Sequence, residues 1–160
     1  MKNNLFAISP LDGRYADKIS DLSEFVSEYG LIKYRIKIEI NYLLALSEIG
    51  VIRKINNSEQ KILKNIKDNL NEALKVKEIE NDTRHDIKAI ENYLKYIFAK
   101  SSLKNISEMI HFGLTSEDIN NIAYRLMLKG AVENVILPNL IIINQDLFAK
   151  TKEYKKIVIL

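Results

Sequence analysis

His85 and His111 are the only imidazoles in a chain that has no cysteine. Proton transfer near neutral pH would therefore fall to one of them or to a carboxylate, and thiolate chemistry is excluded. His85 stands in Thr83-Arg84-His85-Asp86, just ahead of a helical pattern. A guanidinium, an imidazole and a carboxylate so close together can bind an anion and tune the imidazole by hydrogen bonding. The same string also reads as an ordinary helix start, capped by Asp82 or Thr83, with His85 a bystander. His111-Phe112-Gly113 leads into Thr115-Ser116-Glu117-Asp118, where hydroxyls and unpaired backbone N–H groups at a helix N-terminus can hold an anion. Thr115 followed by acidic residues is equally what a plain N-cap looks like. His111, between Ile110 and Phe112, reads as a hydrogen-bonded core residue, and Asn120-Asn121 one turn later as solvated or functional. A further cluster is Asp12-Gly13-Arg14-Tyr15. Arginine is scarce here, five residues among 24 basic ones, so an Arg directly after a tight turn points to bidentate carboxylate or phosphate recognition. The alternative is a surface Arg beside a packed Tyr.

The elements that must position these residues are helical. Only 2 Pro and 5 Gly interrupt the chain, and the intervals are filled by Lys, Leu, Ile, Glu and Asn. A turn at Ser9-Pro10-Leu11-Asp12-Gly13 delivers Arg14 and Tyr15. A short helix follows over 17–26, and a second over 28–49, with Ile32, Ile36, Ile40, Leu43 and Leu44 at helical spacing before Gly50 closes it. A third helix is expected from Ser58 to Ile79, its start resembling a capping box between Asn57 and Gln60. A fourth runs from Ile87 to Lys100, and a short turn covers 103–110. The last, 115–153, would be about 57 Å long as a continuous helix, against a radius of gyration of about 15 Å for a globule of this size. It must overhang. Val135, Ile136, Leu137, Leu140, Ile141, Ile142 and Ile143 surround it with apolar groups, and Pro138 is expected to kink it. The apolar stretch Ile157-Val158-Ile159-Leu160 makes a poor solvent-facing terminus. Partner surface, from other subunits or from further polypeptide, is therefore expected.

Composition narrows the classes. With 47% hydrophobic and 28% charged residues the sequence is globular rather than disordered or fibrous. A net charge of +3, its Lys interleaved with Glu and Asp, does not imply nucleic acid. No secretory leader is readable after Met1-Lys2-Asn3-Asn4, and the apolar run 135–143, interrupted by Pro138 and Asn139, falls short of a membrane span. No sulfur-based metal site can form. A cytoplasmic location is the default.

Three strings, in this order and spacing, carry a resemblance: Ser9-Pro10-Leu11-Asp12-Gly13-Arg14-Tyr15, Thr83-Arg84-His85-Asp86-Ile87-Lys88-Ala89-Ile90-Glu91, and 111–121 from His111 to Asn121. They resemble the adenylosuccinate lyase family of the fumarase and aspartase superfamily, and Glu28-Tyr29-Gly30-Leu31 and Val135-Ile136-Leu137-Pro138 extend the likeness over essentially the whole sequence. The resemblance implies an all-α fold, with an N-terminal helical domain over 1–110 and the start of a central helical bundle over 111–160, and a homotetramer built around that bundle. It implies elimination of fumarate from adenylosuccinate, giving AMP, and from the succinylated imidazole carboxamide nucleotide of purine synthesis, by acid and base groups without metal or organic cofactor. Arg14 and Tyr15 match the first nucleotide-binding motif. Arg84, His85 and Asp86 match the second, with His85 near the leaving nitrogen, and Thr115 and Ser116 match the segment that grips the succinyl carboxylate. The general acid His and general base Ser of the family have no counterpart in these residues, so the 160 residues alone are expected to be inactive. The competing expectation is a noncatalytic helical assembly module of the same fold; a lyase acting on argininosuccinate fits the first two motifs less well.

Overall fold

Sparse turn residues and repeated apolar stripes leave the chain little choice but helices, and the computed structural model, which describes residues 7–66 and 69–157, contains no strand among them. After the turn at 8–15 come two short 3-10 turns, Ala16–Lys18 and Ser20–Leu22, and the single helical turn α1 (Ser23–Val26). The expected helix over 17–26 is thus broken into three pieces. Three serines explain the break, since the hydroxyls of Ser20, Ser23 and Ser27 all bond back to carbonyls three or four residues earlier and compete with a regular ladder.

Helix α2 (Glu28–Glu48) begins at Ser27, whose side chain accepts from the Gly30 N–H, and its axis carries the core. A Cβ at Gly30 would lie 2.5 Å from the Phe25 carbonyl oxygen, so the absent side chain is what lets α1 fold back against α2. The region expected as one helix from Ser58 to Ile79 is two: α3 (Asn57–Lys64) and α4 (Leu70–Thr83). Asn65 ends the first, and the Asn69 side chain caps the second through the Glu72 N–H at 3.2 Å. The capping box sits one residue earlier than expected, between Asn56 and Glu59. A carboxylate at the third position, already held by Arg53, makes the stronger partner.

Helix α5 (Asp86–Phe98) and a 3-10 stretch (Ser102–Met109) close the main core, in which Leu43, Leu63, Ile90, Leu94, Phe98 and Leu103 are buried. Each such side chain contributes roughly 1.5–3 kcal/mol through removal from water. A second cluster joins Tyr34 and Ile38 of α2 to Ile87 and to Ile119, Ala123 and Met127 of α6 (Ser116–Ala131). The front half of the long helix therefore packs on α1 and α2.

Beyond Ala131 no described residue is buried. The helix continues through a π-helical turn, Val132–Ile136, into α7 (Leu137–Tyr154), an unbroken 39 residues from Ser116 to Tyr154. The perturbation expected at Pro138 takes the form of that wider turn, closed by the Leu137 N–H on the Val132 carbonyl. A π turn absorbs the local mismatch created where proline removes a donor. Ile136, Leu140, Ile141, Leu147 and Phe148 remain 40–62% exposed. The overhang is as expected. Because Pro138 and Asn139 do not stop the helix, its length and composition do match those of a membrane span, which counting the uninterrupted apolar run alone did not reveal. Residues 158–160, part of the expected apolar ending, and 1–4 lie outside the described residues.

Candidate functional site

The functional geometry starts from charges on the buried face of α2. Arg35 and Glu39 lie one turn apart on the stripe that also carries Ile32, Ile36 and Leu43, and they are only 5% and 1% exposed. A buried guanidinium demands partners. Arg35 finds them near the starts of two other helices: Nη2 donates to Asp86 Oδ2 at 2.6 Å and to Asn120 Oδ1 at 2.7 Å, and Nε to the same Asn120 oxygen at 3.0 Å. The N-termini of α5 and α6 are thereby tied to α2. Burial works to raise the Asp86 pKa, but the Ile87 N–H and the Arg35 charge outweigh it and hold the carboxyl below its usual value.

The second buried charge, Glu39, holds the loop between the 3-10 stretch and α6. Its Oε1 lies 2.6 Å from His111 Nδ1, and its Oε2 accepts the His111 backbone N–H at 3.1 Å. His111 itself adopts the left-handed backbone conformation, φ 60°, uncommon for any residue but Gly, though His, Asn and Asp tolerate it best among the others. Tyr42 Oη bonds the Phe112 carbonyl at 2.8 Å. The hydrogen-bonded role expected of His111 is found, with the difference that the residue also borders a cleft.

That cleft, about 550 Å³, is lined by Thr83, His85, Lys88, Glu91, His111, Thr115 and Ser116 together with Ile87 and Leu114. Two chain segments 30 residues apart meet there, each at the start of a helix. His85, and neither Asp82 nor Thr83, is the N-cap of α5: its Nδ1 accepts the Lys88 N–H at 3.3 Å. Across the cleft Thr115 is the N-cap of α6, with the Asp118 carboxylate accepting both its N–H (2.7 Å) and its hydroxyl (2.9 Å). These bonds lower the Asp118 pKa. Ser116 Oγ has no hydrogen-bond partner among the described residues. Two helix N-termini facing one open cleft create positive potential and free donors, the requirements for holding an anion.

Not every expected residue joins this group. Asp86 turns to Arg35, Arg84 is exposed at the left-handed C-cap of α4, and Arg14 and Tyr15 do not line the cleft. The Arg14 guanidinium instead lies 4.8 Å from the Tyr15 ring centroid. Asn120, left open as solvated or functional, is buried as the Arg35 acceptor. Arg35, Glu39, Lys88 and Glu91 were not singled out in the sequence. The first two could have been found as charges on an otherwise apolar helical stripe. A larger hollow of about 660 Å³ on the other side of α6, lined by Ile38, Leu114, Ile119, Ile122 and Leu126, offers mostly apolar surface. Among the described residues no group of three or more His, Asp or Glu is arranged to hold a metal.

Residues 13–160 match the family model described as Lyase. The chain is 48% identical over 141 residues, 84% of its length, to an adenylosuccinate lyase of Buchnera aphidicola from Acyrthosiphon pisum. It is 41% identical over 164 residues, 99% of its length, to that of Haemophilus influenzae, and 43% identical over 142 residues, 85% of its length, to that of Escherichia coli K12. It spans about a third of these relatives, 31–36% of their own lengths.

Proposed function

The chain belongs to the lyase family, and from that premise we propose that it forms the front third of an adenylosuccinate lyase. The reaction is elimination of fumarate from adenylosuccinate to give AMP, and from the succinylated imidazole carboxamide nucleotide, in purine biosynthesis. The observation that carries this reading is the meeting of His85 with Thr115 and Ser116 at two opposed helix N-termini, because both substrates are multiply negative. Ser116 Oγ and the first-turn N–H groups of α6 receive the succinyl carboxylate. His85, with Nδ1 occupied by its own helix, presents Nε2 toward the leaving nitrogen. Arg14, Tyr15 and Arg84 complete the nucleotide site from segments that face the cleft only in an assembly of copies, whereas Asp86 serves it by holding Arg35. In the family the general acid and base come from segments that these 160 residues do not include. No metal or organic cofactor enters the reading, since elimination can run on acid and base groups.

The long helix supports a homotetramer, with 111–160 entering a central bundle and 1–110 forming the surrounding helical domain. Glu133, Asn134, Asn139, Asn144 and Asp146 are spread along its exposed length. Charges at a bilayer centre cost about 2.5–3.5 kcal/mol each, so helices of other copies are the better cover. A cytoplasmic enzyme follows from the same reading, with neither membrane nor nucleic acid as partner.

The test is fumarate release from adenylosuccinate by the full-length polypeptide that carries this sequence. Ser116→Ala should lower kcat/KM roughly 10- to 100-fold, the worth of a hydrogen bond to a charged group. A folded full-length protein that releases no fumarate would remove the proposal and favour the noncatalytic assembly module.

A further inference from the structure

We infer that Glu39 is a positioning residue, which fixes one face of the His111 imidazole so that Nε2 alone is offered to the cleft. This rests on the reading of that cleft as the nucleotide site. Glu39 is 1% exposed and spends both carboxylate oxygens on a single residue, one on the His111 ring at 2.6 Å and one on its backbone N–H at 3.1 Å. A carboxylate facing the ring selects the form protonated on Nδ1. Nε2 has no protein partner among the described residues, and His111 is one of the residues that line the cleft. The backbone half of the grip has its own purpose. It holds the left-handed turn at His111, and with it the approach of Thr115 and Ser116 to the same cleft. One buried group on α2 therefore sets both the direction of an imidazole and the entry of α6.

The charged surroundings decide what the pair can do. Burial pushes the Glu39 carboxyl up, and bonding to His111 opposes that rise, while Glu91 of α5 adds repulsion. Asp118 of α6 feels the His111 charge as a minor influence, and His85 and Lys88 line the same cleft, with Lys88 Nζ on Glu91 at 2.6 Å. Pinned at Nδ1, the ring has Nε2 left to meet an anionic substrate group, as a donor when that group or solvent supplies the second proton. The pair would then enter the cleft as a donor with no net charge, drawing in a phosphate or carboxylate without a free cation.

The experiment is nitrogen-detected NMR of the two His side chains in the full-length polypeptide, alone and with AMP, for the wild type and Glu39→Gln. In the wild type His111 should be protonated on Nδ1 throughout the neutral range, and AMP should move its Nε2 resonance. In Glu39→Gln the Nε2-protonated neutral form should appear. In activity, Glu39→Gln should lower kcat/KM on the order of 10- to 100-fold, with the acidic limb of its pH profile displaced, and Glu39→Asp should recover part of that loss. Finding the neutral wild-type ring protonated on Nε2 would overturn the inference even if the variant does not fold. So would an unchanged tautomer in a folded Glu39→Gln. The NMR arm stands whether or not fumarate is released, which separates this inference from the proposed activity.

Discussion

Glu59 gives a stability prediction whose size can be worked from its contacts. Its carboxylate is 1% exposed and accepts two charged bonds from Arg53, at 2.8 and 2.7 Å, the Ser102 hydroxyl at 2.8 Å and the Asn56 N–H at 3.0 Å. The Arg53 bonds are the largest influence, and the carboxyl is brought from 4.5 to about 2. At about 1.4 kcal/mol for each tenfold change, the ionised form is favoured by at most about 3.5 kcal/mol. Arg53 is itself 34% exposed, so screening by solvent reduces the expected contribution to roughly 2 kcal/mol. A depressed carboxyl stabilises the folded state above the unfolded-state value near 4.5, and that contribution is lost as pH falls toward 2. By pH 3 more than half of it should be gone. Glu59→Gln keeps the shape and can still close the capping box, so it removes the charge and little else. Urea unfolding of the full-length protein, followed by far-ultraviolet circular dichroism, should show the variant about 2 kcal/mol less stable at pH 7, with the gap closing by half or more at pH 3. A deficit under 0.5 kcal/mol at pH 7, or one that stays constant down to pH 3, would refute the assignment of this stabilisation to the ionised carboxylate.

Arg35→Met should cost about 2–3 kcal/mol in the same assay, because Asn120 is left as a buried acceptor without donors while Asp86, 44% exposed, can rehydrate. Arg35→Lys should recover little of it, since an ammonium cannot reproduce a fork that bonds through both Nε and Nη2; full recovery would mean that charge alone matters. Leu140→Lys combined with Phe148→Lys should reduce the assembly measured by light scattering from a tetramer to a smaller species, and a wild-type protein already monomeric would contradict the bundle reading.

Much of the helical plan was legible because burial imposes a period that the sequence carries openly. The stripe Ile32, Ile36, Ile40, Leu43 and Leu44 marked α2, and the all-round apolar run after residue 131 announced a helix that the rest of these 160 residues cannot cover. Where the reading failed, side-chain hydrogen bonds had overridden the period. Ser20, Ser23 and Ser27 divide the first helix, and Asn65 and Asn69 divide the third, although Ile62, Leu63, Ile66, Leu70 and Ala73 keep helical spacing across the break. Spacing reports which face is buried and says little about whether the backbone stays continuous between two caps. In the site, the exposed polar strings were visible at once, because turns and caps use distinctive residues. The buried charges that hold them are hidden by the same logic that finds the helix: Arg35 and Glu39 fall in an apolar stripe, and helical spacing gives a charge there no role. Pairing across 51, 72 and 85 residues of sequence is a property of the fold and cannot be read from spacing.

On the proposed reading, the charge balance of the cleft sets how much of a nucleotide site these 160 residues supply. Its sole lysine, Lys88, is already committed to Glu91 at 2.6 Å, and its two helix N-termini amount to about half a positive charge each. A neutral Glu39–His111 pair adds a directed donor and no net charge. Against a ligand carrying a phosphate of about −2 and two carboxylates, these groups cover only a fraction of the charge. They are suited to a carboxylate end, where direction counts for more than total charge. The phosphate end needs guanidinium groups, and the exposed ones nearest in sequence to the binding motifs are Arg14 and Arg84, both outside the cleft of their own chain. On the proposed reading, an exposed Arg14 stacked on Tyr15 and an uncovered apolar helix fit one arrangement, in which other copies or further polypeptide pack on that helix and bring cations to the cleft.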